Sequence, residues 1–289
     1  MIFDHFDFTL NHEEISLKKE VMEKLRERYK NYRDPWGFDL KRVETMIDLI
    51  FPIYKKYFKV RVFGIENVKD QSYMMVSNHT GQLPIDAALI TMAMAIELDK
   101  PQVIHSMIER FMAALPFIGE WAAESGAILG DRDNCKWLLE KGESILVFPE
   151  GVKGINKKTK DFYKLQRFST GFFRIALQTK TPILPISVIG AEEMFPIVFQ
   201  APYLAKKVGL PNLPLPLNFI PLPSPIDIYI GKPVDLPKNL TPDSPDSEIR
   251  KTLSEIEKDI HDQIIHGLKN RRSFFDWARK PINDIMKKF

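Results

Sequence analysis

The chain predicts an α/β fold: one largely parallel sheet with helices on both faces, with helical additions at the N- and C-termini. Three observations carry this. Tyr73–Val76, Ser144–Phe148 and the run from Ile183 to Ile189 are nearly continuous apolar stretches, the pattern of strands covered on both sides. The first two end in polar or glycine turns that lead into helix-forming segments. The length of 289 residues suits one large domain with terminal additions: amphipathic helices over 1–57, the α/β unit over 58–240, and a helix with a basic tail over 241–289.

In chain order, Glu13 to Lys30 reads as a helix with Ile15, Val21, Leu25 and Tyr29 on one side. Asp34-Pro35-Trp36-Gly37 is a turn. A second amphipathic helix runs from Leu40 to about Tyr57, and Pro52 predicts a kink or break. This region has two readings: a cap over the sheet, or a helix leaning on a membrane with Lys55, Lys56 and Lys59 at headgroup level. Lys59–Gly64 alternates like a half-exposed strand. A helix follows the central strand to about Leu98, and Gln102–Ser106 reads as the next strand. Met107 to Ala123 is apolar, broken by Pro116 and Gly119; it is core or the path of an acyl chain. Ser125–Arg132 is a short β-like element ending in a turn, and Asp133-Asn134 predict the cap of a helix through Leu139.

Gly171–Gln178 reads as a helix. Thr181–Gly190 is a strand whose prolines predict start or edge positions. Residues 194–224 are apolar and proline-rich, a loop that needs burial or a lipid boundary. Ile226–Gly231 is a last strand. Asp243 to Leu268 is amphipathic, with Ile249, Leu253, Ile256, Ile260, Ile264 and Leu268 at spacings of three and four. In the tail, basic residues interleave with Phe274, Phe275, Trp277 and Phe289, as in an interfacial anchor or a surface helix.

The informative stretch is Asn78-His79, with Asp86 further on: a histidine where a strand ends and an acid where a helix begins. In open α/β sheets that edge binds ligands. A neutral imidazole takes a proton from a hydroxyl near neutral pH, and a carboxylate on its other nitrogen fixes the tautomer. The bland alternative is a capping Asp86 and a loop histidine bonded to backbone. Arg132 suits bidentate capture of phosphate or carboxylate, or pairs on the surface with Asp131 or Asp133. Phe148-Pro149-Glu150-Gly151 follows another strand; its glycines allow close backbone approach, Glu150 can accept from a substrate hydroxyl, and Lys153 adds charge. The cations from Lys157 to Arg167 form a solvated loop or steer an anionic substrate.

Composition narrows the classes. A net charge of +3 is too small to argue for nucleic acid. It suits anionic substrates or an anionic membrane surface. One cysteine, Cys135, excludes an internal disulfide and reads as a helix residue, not a nucleophile. The six histidines make no metal-ligand pattern, so no metal is expected. No secretory signal and no membrane span are expected.

Four stretches in order then resemble the glycerolipid acyltransferase family of lysophosphatidic acid and glycerol-3-phosphate acyltransferases: Asn78-His79…Asp86, Gly126-Ala127-Ile128…Arg132, Phe148-Pro149-Glu150-Gly151 and Pro182-Ile183-Leu184-Pro185. One departure is six residues between His79 and Asp86 where the family usually has four, with a proline at 84. The resemblance implies His79 as general base and Asp86 as its orienting partner. It also implies that Asn78, Arg132, Glu150, Gly151 and Lys153 contact the acceptor and that Pro182 and Pro185 shape the acyl side. It implies acyl-CoA or acyl carrier protein as co-substrate, a lipid acceptor, no metal or organic cofactor, no nucleic acid, and peripheral attachment to the cytoplasmic side of a membrane. Two rival readings are transfer to a neutral lipid alcohol such as diacylglycerol, or hydrolysis, and a non-catalytic lipid-binding protein.

Overall fold

Seven strands form the central sheet of the computed structural model, which describes residues 7–80, 84–114, 116–155, 157, 159–195, 197–200, 214–216, 218 and 220–272. The strands are β1 (Arg61–Phe63), β2 (Met74–Ser77), β3 (His105–Ile108), β4 (Ile128–Leu129), β5 (Ile145–Val147), β6 (Ile183–Ile189) and β9 (Asp227–Ile230). Their spatial order is β1-β9-β6-β2-β5-β3-β4. All neighbours are parallel except β6 and β9, so β1 and β9 run against the other five. A separate antiparallel ribbon pairs β7 (Ile197–Gln200) with β8 (Pro214–Pro216). The loop at 81–83, most of the proline-rich stretch and the tail from residue 273 lie outside the described residues.

Two apolar layers cover the sheet. On one face lie α1 (His12–Tyr29), α2 (Leu40–Pro52) and α3 (Ile85–Ile96). The other face holds α6 (Arg132–Glu140), α8 (Gly171–Thr179) and α9 (Asp246–Lys269). Short helices α4 (Arg110–Ala113), α5 (Ile118–Glu124) and α7 (Val152–Ile155) complete the described set. The periodicity of α9 is realised: Ile249, Leu253, Ile256, Ile260 and Ile264 are buried against the sheet. Each contributes roughly 1.5–3 kcal/mol by leaving water. A capping box between Asn11 and Glu14 starts α1.

The N-terminal helices cap the sheet. Val43, Ile47 and Phe51 of α2 are buried, and two of the lysines expected at headgroup level are paired, Lys55 with Glu97 at 3.1 Å and Lys56 with Glu14 at 2.8 Å. The helix does not stop at Pro52; α2 passes into a π-helical turn at Ile53–Tyr57, where Phe58 N donates to Ile53 O at 2.9 Å. The cap of α6 is Asp131, two residues before the expected Asp133-Asn134: its carboxylate accepts from the Asn134 amide at 2.8 Å. This draws Arg132 into the first turn.

Pro185 overturns the expectation that prolines mark an edge. It lies inside β6, between β2 and β9, in register with Val76. The exception has a local reason. Pro185 O accepts from Gly231 N at 2.8 Å, just past the end of β9, so the absent Pro185 donor falls where the ladder is running out. Among the described residues no helix is long and apolar enough to cross a membrane.

Candidate active site

β2 ends at Ser77, and the next two residues turn at the carboxyl edge of the sheet. Asn78 is fully buried and its amide replaces a ladder step: Nδ2 donates to Val188 O at 3.1 Å and Oδ1 accepts from Val188 N at 2.9 Å. This pins the strand end to β6. His79 then leaves the sheet, its ring stacked on Phe148 with centroids 4.2 Å apart.

The His79 Nδ1 lies 2.8 Å from Asp86 Oδ2. Asp86 is fully buried in the first turn of α3. Its Oδ2 also accepts from Thr80 N at 2.9 Å and Thr80 Oγ1 at 3.2 Å, while Oδ1 accepts from Ala87 N at 2.8 Å. A carboxylate only accepts, so Nδ1 carries the proton and Nε2 is left as a proton acceptor. His79 lines a cavity of about 1480 Å³. The Asp86 side chain does not cap α3 in the usual way; Pro84 holds the capping position, with no side-chain cap.

A second layer holds the histidine backbone. Glu150, just after β5, accepts from His79 N at 2.8 Å through Oε1 and from Gln166 N at 2.7 Å through Oε2. Lys157 reaches Glu150 at 3.0 Å, Glu192 at 3.3 Å and His79 O at 3.4 Å. The Lys157 side chain is only 4% exposed, so it is neither a solvated loop residue nor a steering charge. Burial pushes Glu192 up to about 7, partly offset by Lys157. Gly154 packs directly beneath: a Cβ there would lie 2.8 Å from His79 Cβ and 2.9 Å from Glu150 Cβ. Gly151 has φ of +56°, a conformation that favours glycine. Neither Lys157 nor the packing role of Gly154 was readable from motif spacing.

The cavity has two characters. Met46 and Ile50 of α2, Met92 of α3, and Phe111, Met112 and Trp121 of the α4–α5 region line an apolar part. The segment expected to be core or an acyl path therefore borders the cavity. Arg110, Arg132, Lys153, Arg167, Arg174 and Arg250 line it too, together with Glu109, Asp131 and Glu150. Arg132 and Lys153 are both exposed; Arg132 donates to Gln178 Oε1 at 3.1 Å, while Lys153 has no ion-pair partner among the described residues. Arg132, Glu150, Gly151 and Lys153 are thus gathered with His79 around one space. Pro182 and Pro185 are not among its lining residues: Pro182 precedes β6, at the sheet edge opposite His79, and accepts from Met74 N at 3.0 Å. Cys135 also borders the cavity, but burial pushes its thiol up to about 12, which leaves it a poor nucleophile.

A family model described as Acyltransferase matches residues 59–189, which contain all four motif stretches. An uncharacterized protein of Mycobacterium tuberculosis is 33% identical over 254 residues, covering 84% of this chain and 71% of its own length. The Bos taurus protein named DGAT1/2-independent enzyme synthesizing storage lipids is 22% identical over 222 residues, 75% of this chain and 63% of its own. The crystal structure of the 1-acyl-sn-glycerophosphate (LPA) acyltransferase PlsC from Thermotoga maritima covers 86% of this chain and 97% of its own, with a TM-score of 0.49 and 20% identity.

Proposed function

Since the chain belongs to the glycerolipid acyltransferase family, we propose that it moves a fatty acyl group from a thioester, acyl-CoA or acyl carrier protein, to a hydroxyl of a lysophospholipid or glycerol phosphate. The observation that supports this most is His79, held on Asp86 by Nδ1 and bordering a cavity lined by apolar and basic side chains.

His79 Nε2 takes the proton of the acceptor hydroxyl as its oxygen attacks the thioester carbonyl. A carbon–oxygen bond forms, the carbon–sulfur bond breaks, and the imidazolium returns the proton to the leaving thiolate. No acyl-enzyme forms. Asp86 stabilises the imidazolium as it appears. General-base catalysis of this kind supplies typically ~10²–10⁴-fold, with positioning supplying more. Arg132 and Lys153 hold the acceptor phosphate. Asn78, Glu150 and Gly151 hold the loops that carry the base, and the apolar part of the cavity receives the acyl chain. The reaction takes place at a membrane surface, reached peripherally.

A second reading has support of its own: the His79–Asp86 loop is two residues longer than usual, and the bovine relative is named for storage-lipid synthesis. On that reading the acceptor is a neutral lipid alcohol. The test is acyl transfer by purified protein in liposomes with labelled acyl-CoA or acyl carrier protein and a panel of acceptors, beside His79→Ala. Transfer to lysophosphatidic acid or glycerol phosphate, abolished in H79A, is the expected result. Transfer to diacylglycerol alone would replace the phosphorylated acceptor with the neutral one. Absence of transfer from every donor would overturn the reaction itself. Arg132→Ala should raise KM for a phosphorylated acceptor about tenfold or more with kcat little changed.

A further inference from the structure

His79 is held by its main chain as well as by its ring. Its amide donates to Glu150, and its carbonyl accepts from Lys157, which also reaches Glu150 and Glu192. Lys157 and both glutamates are buried. What holds Glu192 in turn lies away from the cavity: Tyr163, Glu193 and Arg271 are not among its lining residues.

One residue closes both adjacent glutamates. Tyr163 N donates to Glu192 Oε2 at 2.5 Å, and Tyr163 Oη donates to Glu193 Oε2 at 2.5 Å. The same hydroxyl accepts from Gly190 N at 2.8 Å, in the turn just beyond β6. Tyr163 reaches these partners from the left-handed region, with φ of +62°, which bulky side chains rarely adopt. Strained residues of this kind persist where their surroundings hold them, and they gather at functional sites. Burial, with Glu193 beside it, pushes the Tyr163 hydroxyl well above its ordinary range, so it stays a donor.

Glu193 has a second partner from far along the chain. Its Oε1 accepts from Arg271, just past the end of α9, and Arg271 also donates to Ser224 Oγ at 3.1 Å. The next residue, Arg272, donates to Asp227 of β9 at 2.8 Å and to Ile226 O at 2.9 Å. The end of α9 is therefore anchored on the sheet. From it an unbroken set of contacts runs to the histidine: Arg271 to Glu193, Glu193 to Tyr163, Tyr163 to Glu192, Glu192 to Lys157, and Lys157 to His79 O. The longest link is the last, at 3.4 Å.

We infer that Tyr163 and Arg271 are positioning residues for His79, acting from outside the cavity through Glu192 and Lys157. Without the Tyr163 hydroxyl, Glu193 and Gly190 each lose a partner, and the turn that carries Glu192 is less firmly tied to the segment that carries Lys157. Lys157 then holds the His79 carbonyl less closely, and the imidazole strays from the line of proton transfer. Neither residue borders the cavity, so substrate contacts are left alone and the loss falls on kcat. The kinetic part of the inference rests on the reading of His79 as the base.

Tyr163→Phe keeps the ring and removes only the hydroxyl. Arg271→Gln removes the charge facing Glu193, and Arg271→Lys keeps it. Two readouts on the full chain test the inference: steady-state acyl transfer, and amide hydrogen exchange over residues 74–80 without substrate. Y163F and R271Q should each lower kcat about three- to tenfold, leave KM for donor and acceptor within twofold, and speed exchange at the His79 amide. R271K should restore most of the rate. In Y163F/R271Q the loss should stay within twofold of the larger single loss, because both residues act through one path. A kcat within twofold of the parent beside a lowered melting temperature would make these contacts structural only and overturn the inference. So would losses that multiply in the double variant, a change confined to KM, or unchanged exchange at His79. Faster exchange in both single variants of a protein that transfers no acyl group would sustain the positioning and sink the reaction proposed above.

Discussion

Replacing Gly154 by alanine tests how closely the base must be held. Nothing in the backbone resists the change, because Gly154 does not lie in the left-handed region. Space does. The added Cβ would stand 2.8 Å from His79 Cβ, 2.9 Å from Glu150 Cβ and 3.4 Å from Glu150 Cδ. Favourable carbon contacts begin near ~3.5 Å, so His79 or the 150–154 turn must retreat by about 0.7 Å. Neither can move alone. His79 is held by Asp86 through its ring and by Glu150 through its amide, and Glu150 is held by Gln166 and Lys157. Overpacking of this kind costs about 1–3 kcal/mol of stability. A displacement approaching 1 Å at a reacting group costs up to ~10²-fold in rate. The expected outcome is a kcat for acyl transfer lowered by about ten- to a hundredfold, with KM for the acceptor changed less, and a modest fall in melting temperature. Steady-state kinetics with saturating donor, beside calorimetry, measures both. A variant with kcat within twofold of the parent would show that the close packing of His79 on Gly154 is not needed for turnover, and the reasoning would fail.

Asp86→Asn keeps the shape of the side chain but places an amide among donors. It should lower kcat by about 10²–10⁴-fold, as expected when a base loses the carboxylate that orients it, and cost about 1–3 kcal/mol in urea unfolding; an active Asn variant would remove Asp86 from the mechanism. Lys157→Met leaves Glu150 and Glu192 buried with no cation between them, at side-chain exposures of 0% and 2%. Losing one partner of such a pair costs about 3–5 kcal/mol, and the loss should be greater at pH 8 than at pH 6, because Glu192 takes up a proton near neutrality. Equal melting temperatures at both pH values would contradict it. Glu192 itself sets a slope in stability. Burial raises its folded pKa from the ordinary 4.5 to about 7, so its contribution is fully present below about 4.5 and is lost as pH rises through 7. Glu192→Gln should flatten the fall in urea midpoint between pH 5 and pH 8; an unchanged fall would point to another group.

Local pattern made much of this protein legible. The spacing of apolar residues placed α1 and α9 to within a few residues, because burial of one helix face writes a period into the sequence. Apolar runs located β2, β5 and β6, because strands covered on both faces admit few polar residues. His79 and Asp86 stood out because a base and an acid occupied the two ends of one strand–loop–helix connection. What spacing could not supply was direction and company. The antiparallel placement of β9 against β6 depends on a long connection whose course no local preference dictates. Pro185 in the sheet interior follows from where β9 happens to end.

The charged residues show the same division. Lys157 sits in a run of lysines that reads as solvated, and only the approach of Glu150 from β5 and Glu192 from the segment after β6 buries it. Arg167 lies in the same run and stays exposed. Chemistry that depends on residue type and short spacing, the proposed base, its carboxylate and the cations proposed to hold phosphate, is carried by the chain order itself. Which glutamate braces His79, which lysine is buried, and which arginines border the cavity depend on elements distant in sequence meeting at one edge of the sheet, because burial and pairing are properties of the packed chain and not of neighbours along it.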